Sequence, residues 1–165
     1  MRHYMTLSPK LPAAFRWCAA GVLMGLSFSS LADDMLHWRD AWVRSLPPGA
    51  AVAAAYGSLM NHGSDTVTIV NVTSATGTEA QMHDVIADGD QRKMLRLNSV
   101  DIAPGESLVF EPAGRHIMLL DITDAPEEGS DVALCAVSAM GTEVCTRAPV
   151  TRQAPGETEP HGHHH

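Results

Sequence analysis

Basic residues are scarce in this chain. Its 165 residues include 11 Lys and Arg against 19 Asp and Glu, a net charge of −8 with histidines neutral. Three of the 11, Arg2, Lys10 and Arg16, fall within the first 32 residues, which hold no acidic residue, so the remainder carries −11. A surface of that sign repels nucleic-acid phosphates and anionic lipid, and it suits a basic or cationic partner. Several sequence patterns are missing as well. No long amphipathic helical period and no internal repeat appear, which argues against helical bundles and repeat arrays. There is no GxSxG, no HExxH and no carboxylate arranged with the histidines as a general base, so the usual hydrolase and zinc-protease signatures are lacking.

What is present begins with an export signal. Arg2, Lys10 and Arg16 precede the apolar run Trp17 to Leu31, and Ser30-Leu31-Ala32 supplies small residues at a cleavage point. This is the layout of a secretory signal peptide. The run is about 15 residues and broken by serines, short of the roughly 20 that a retained membrane span needs. Residues 1–32 are therefore expected to be removed, leaving a periplasmic protein with no stable membrane insertion. Residues 33–150 are expected to form one domain. Residues 151–165, TRQAPGETEPHGHHH, lack any large apolar side chain and read as a flexible tail. Its His161, His163, His164 and His165 are either an appended purification tag or a native tract able to hold a borderline metal such as Cu(II).

Between Trp38 and Val150 short β-like runs alternate with Gly, Pro, Asn and Asp clusters: WRDAWVR, DTVTIVNVT, GTEAQMHDVIA, ESLVFEP, RHIMLLDI, DVALCAVS and TEVCTRAPV. That pattern predicts an all-β sandwich or barrel. AAVAAAYGSLMN is ambiguous, because alanine favours helix while Tyr56 and the Asn61-His62-Gly63 turn allow a strand. Cys135 and Cys145 are equidistant from Met140, in a stretch that reads as a hairpin turning near Met140-Gly141. In an oxidising compartment opposed cysteines form a disulfide, and a one-residue register slip would separate them. A two-cysteine metal site is the other reading. Met60, Met82 and Met140 are expected to fill the core.

The strand RHIMLLDI carries His116 and Met118 two residues apart, hence on one face. Upstream lie His83 and Met94, and the four together read H-x10-M-x21-H-x-M. Taken singly, a strand methionine is usually packing and a lone histidine usually a satisfied surface group. Thioether sulfur together with imidazole is the donor set that selects Cu(I).

This spacing resembles that of the PCuAC family of exported copper chaperones. Further likenesses are DAWVR before a Pro-Gly turn, AAAYGSLMNHG, Asp88-Gly89 between the first His and Met, PAGRHIMLLDI and the closing APV, so the resemblance covers Asp40 to Val150. It implies a cupredoxin-like Greek-key β-sandwich and a Cu(I) site made of His83, Met94, His116 and Met118. Auxiliary methionines found in many members are replaced here by Val85 and Leu120, and the cysteine pair is not part of the family motif. Methionine does not form disulfides, although it can be oxidised to the sulfoxide, so such a site suits an oxidising compartment.

The resemblance also implies a carrier and not an enzyme. Its expected acceptor is subunit II of cytochrome c oxidase, through the dinuclear copper centre, or a thioredoxin-like copper assembly factor. Copper sequestration without a dedicated acceptor uses the same ligands, so sequence leaves it open. A blue-copper electron carrier needs a cysteine thiolate beside two histidines, and neither Cys135 nor Cys145 falls in the His/Met cluster.

Overall fold

The computed structural model describes residues 35–76 and 79–156. The expected signal peptide and cleavage point, and the tail histidines His161, His163, His164 and His165, lie outside the described residues. Ten strands form: β1 (Leu36–Arg44), β2 (Ala53–Asn61), β3 (Val67–Ser74), β4 (Glu79–Asp88), β5 (Gln91–Leu97), β6 (Val100–Ile102), β7 (Ser107–Phe110), β8 (His116–Leu120), β9 (Asp131–Ser138) and β10 (Glu143–Thr151). Among the described residues there is no helix.

The strands run in the order β5-β4-β8-β2-β1-β10-β9-β3-β6, and β7 also pairs with β2. All pairings are antiparallel except β1 with β10. The sheet closes over itself, so both halves feed one core. Leu36, Leu59, Met82, Leu108, Ile117 and Leu119 face inward from one half, and Ile69, Val72, Ile102, Leu134 and Val150 from the other. Alternation does this work: in β8, Ile117 and Leu119 are fully buried while Met118 and Leu120 are only partly so. Each fully buried aliphatic side chain contributes about 1.5–3 kcal/mol.

A β-bulge in β1 decides what the outer face carries. Arg39 pairs with Ser58 but Trp42 pairs with Tyr56, so one extra residue is accommodated between them. Asp40 takes φ 50° there, and Gly57 opposite takes φ 137°. The extra residue reverses the side to which later residues point. Trp38 therefore faces the core, stacked at 6.1 Å on Phe110, while Trp42 lies against Tyr56 at 4.6 Å with the Arg44 guanidinium over both rings.

AAVAAAYGSLMN resolves as a strand because it pairs on both sides, with β1 and with β7 and β8. The strand β5 was not among the predicted runs: its residues Gln91 to Arg96 are all exposed, so it has no apolar alternation to read. Met82 is in the core as expected. Met60 is instead half-buried on the outer face, since its neighbours Leu59 and Asn61 take the inward positions. Met140 is a clear departure, 94% exposed at the tip of the β9–β10 hairpin, where the Gly141 amide donates to the Ser138 carbonyl and the turn lies beyond the core. In that hairpin Cys135 and Cys145 are directly opposed and bridged by a disulfide. Strand β10 continues to Thr151, whose hydroxyl donates to the Gln153 carbonyl, and Arg152 pairs with Glu128.

Candidate metal centre

The outer face of β4, β5 and β8 carries the predicted ligands. Met82 and Ile117 point into the core, so His83 and His116, next along their strands, point outward. The register sets His83 directly across from His116, with ring centroids 5.9 Å apart and planes inclined by 22°. One step further along the antiparallel ladder, just after His83 and just before His116, Asp84 and Arg115 form an ion pair of 3.1 Å that ties the two strands together.

Hydrogen bonds select the free ring nitrogens. The His83 Nε2–H donates to Gln81 Oε1 at 2.9 Å, which leaves Nδ1 as the atom with the free lone pair. That Nδ1 is buried and has no hydrogen-bond partner. The His116 Nδ1–H donates to the Gly114 carbonyl at 2.9 Å, which leaves Nε2 free. The pKa of His83 is lowered, first by burial, then by the neighbouring His116 and by Arg96 across the strand. A neutral imidazole is the form that binds a metal. An unpartnered buried nitrogen costs stability unless something occupies it, so the pair fits a cation.

The thioethers lie on the same outer face but at opposite ends of the pair. Met118 is two residues from His116 and pairs with Gln81. Met94 pairs with Val85, two residues from His83 on the other side, and is 52% exposed. Standard strand spacings put the Cα atoms of Met118 and Met94 about 16 Å apart on a flat sheet. The structure thus places the two histidines together and Met118 beside them, whereas Met94 stands apart on the exposed strand β5, two residues along the ladder from the pair.

Sequence reasoning passed over the residues that aim the imidazoles. Gln81 was legible as Q-x-H on a strand, where both side chains share a face. The Gly114 carbonyl and the ring pair Trp42 and Tyr56 were not. The latter reach this face through the bulge, and one step beyond the Ala55 to Ile117 pairing Tyr56 comes level with His116. Cys135, Cys145 and Glu143 also cluster, but both sulfurs are committed to the disulfide on the outer face of the other half. No thiolate is therefore available for a blue-copper centre among the described residues.

The fold matches that of PCuAC domains, which are cupredoxin-like. The copper-bound PCuAC domain from PmoF2 superposes with a TM-score of 0.61 at 23% identity, covering 72% of this chain and 94% of that domain. The Cu(I) form of DR1885 from Deinococcus radiodurans gives 0.57 at 21% identity over 68% of this chain and 76% of that one. Its apo form gives 0.56 at 19% identity over 95% and 97%. The family model described as "Putative lipoprotein LpqE-like" matches residues 36–150, and the chain belongs to that LpqE-like family. A relative, "Putative lipoprotein Lxx21020" of Leifsonia xyli subsp. xyli (strain CTCB07), is 29% identical over 118 residues, 71% of this chain and 70% of that protein.

Proposed function

We propose that the protein is a periplasmic copper carrier that binds Cu(I) as cargo on the outer face of β4 and β8 and passes it to an acceptor. The observation that carries this reading is the histidine pair: two opposed imidazoles, each with one nitrogen held by a hydrogen bond and the other free, one of them buried without a partner. His83 Nδ1, His116 Nε2 and the thioether of Met118 supply the first three donors, and Met94 completes the set when the exposed hairpin bends over the pair. Neutral donors hold soft Cu(I) without thiolate charge, which makes release by ligand exchange easier. The copper-bound PmoF2 domain and the Cu(I) form of DR1885 support the choice of metal. The lipoprotein names of the family and the relative support an exported location. The role is binding and transfer, not catalysis.

The acceptor proposed is the dinuclear copper centre of cytochrome c oxidase subunit II, directly or through a thioredoxin-like assembly factor. Sequestration for copper tolerance is the second reading. Anaerobic Cu(I) titration against a competing chelator tests the site, with wild type compared to a Met94→Leu, Met118→Leu double variant. Equal affinity in both rejects the ligand set. Incubation of the loaded protein with the apo copper domain of subunit II tests the transfer, and copper that stays with the carrier favours sequestration. The tail histidines are proposed as a tethered Cu(II) site, which unchanged Cu(II) stoichiometry after deletion of residues 161–165 refutes.

A further inference from the structure

Two M-x-H sequences, Met35-Leu36-His37 and Met60-Asn61-His62, lie at the start of β1 and the end of β2, which pair with each other. The β1–β2 register places His37 across from Met60 and Leu36 across from Asn61. One step further the His62 amide donates to the Met35 carbonyl at 2.6 Å, which sets Met35 across from His62. Leu36, Trp38, Leu59 and Asn61 take the inward positions and are buried, so Met35, His37, Met60 and His62 all project from the outer face. The result is a two-by-two array in which each methionine faces a histidine across the strands and has another beside it along its own strand.

The spacing of this array is tight. Neighbours across an antiparallel pair sit about 4.5–5.5 Å apart at Cα, and neighbours along a strand about 6.8 Å. All four side chains can therefore reach a point above the centre of the rectangle. The His37 and His62 rings occupy one diagonal with centroids 6.5 Å apart and planes at 60°, a gap that an ion about 2 Å from one nitrogen of each ring closes with a small rotation. Nothing in the described core uses these four groups: His37 and His62 are exposed, Met35 is 40% exposed and Met60 half-buried.

The backbone under the array is fixed. Asn61 is fully buried and donates through Nδ2 to the carbonyls of Asp65 and Ile102, while its Oδ1 accepts from the Gly63 amide. The Asn61 amide and carbonyl also bond to Glu106 and Gly105. His62 thus rides on a turn that cannot drift. A Cβ on Gly63 would come within 3.0 Å of the Met35 sulfur, so the thioether is seated directly over that turn.

We propose that Met35, His37, Met60 and His62 form a second Cu(I) site, separate from the His83 and His116 centre. Two thioethers and two imidazoles are the donor set that selects a soft monovalent copper ion over Mg or Ca. Here, unlike at the first centre, both sulfurs are adjacent to both rings. The two sites share one outer face, because positions 54, 56, 58 and 60 of β2 point the same way. Some 13–20 Å along that strand separates them, so they hold separate ions. The assignment rests on the β1–β2 register and stands whether or not the first site binds copper.

The test is anaerobic Cu(I) titration of the exported chain, followed by 13C resonances of the methionine ε-methyls and by stoichiometry against a competing chelator. The Met35 and Met60 methyls are expected to shift on binding. A Met35→Leu, Met60→Leu variant should bind one equivalent fewer than wild type, and His37→Ala, His62→Ala should do the same. A His83→Gln, Met118→Leu variant should keep the Met35 and Met60 shifts, which separates this site from the first. Methyls of Met35 and Met60 that stay in place at saturating Cu(I), or unchanged stoichiometry in the leucine variant, overturn the proposal. Circular dichroism and a thermal melt of each variant confirm that it is folded.

Discussion

His83 and His116 face each other across β4 and β8, 5.9 Å between ring centroids, and each spends one nitrogen on a hydrogen bond that leaves the other free. The arrangement makes Gln81 a positioning residue: its carbonyl oxygen fixes the tautomer of His83. Removing an outer partner of this kind typically weakens metal binding about 10- to 100-fold. Gln81→Ala should therefore lower Cu(I) affinity at this centre within that range. Gln81→Glu, which keeps the acceptor, should restore most of it. Competition titration with a chromophoric Cu(I) chelator reads both.

The lowered pKa of His83 has a consequence for the apo-protein. Because burial holds the folded value below the ordinary histidine value of 6.5, the unfolded chain takes up the proton first as pH falls. Stability is then fully present above 6.5 and is lost as pH drops through the folded value. Thermal melts of the apo-protein should show a falling midpoint on acidification below 6.5, and His83→Gln should flatten that part of the curve. An unaltered slope in the variant would assign the dependence to other groups.

Cys135 and Cys145 close a short hairpin on the outer face of the half opposite the histidine pair. A loop of this size loses about 2–3 kcal/mol of stabilisation when the bridge is removed. The Cys135→Ser, Cys145→Ser variant should unfold at lower denaturant concentration by that amount. Its Cu(I) affinity at the His83 and His116 centre should match wild type, since the thiols contribute no donor there.

Gly57 is the residue that permits the β1 bulge. At φ 137° a side chain is strained, and a Cβ would lie 2.7 Å from the Ala41 Cα. Gly57→Ala combines a disfavoured backbone with a clash against main chain, together worth about 2–5 kcal/mol. Chemical denaturation should register that loss. The near-ultraviolet signal of Trp42 and Tyr56 should change with it, because the bulge is what brings these two rings together.

Much of the fold was legible because inward strands announce themselves. DVALCAVS alternates so cleanly that β9 and its hairpin follow once the turn is placed at Met140-Gly141, while the register that opposes Cys135 to Cys145 was settled by the structure. Strand β5 escaped because an exposed edge strand buries nothing that could pattern it. Met140 was misplaced because hydrophobicity alone carries no information about a hairpin tip, where the chain has turned away from the core. At the candidate site, residue types and spacing were visible in H-x10-M-x21-H-x-M. The diagonal separation of Met94 from Met118 was not, since it depends on how β5 registers against β4 and β4 against β8.

By itself the sequence determined that this chain is all-β and that it carries soft donor groups at a set spacing. Those properties are written in local alternation and in the identities of His83, Met94, His116 and Met118. Only the tertiary structure decided which histidine nitrogens are free, which sulfur stands beside them, and that Met35, His37, Met60 and His62 form a square. Cross-strand register joins residues remote in the chain, and a shift of one position would send every one of these side chains to the other face.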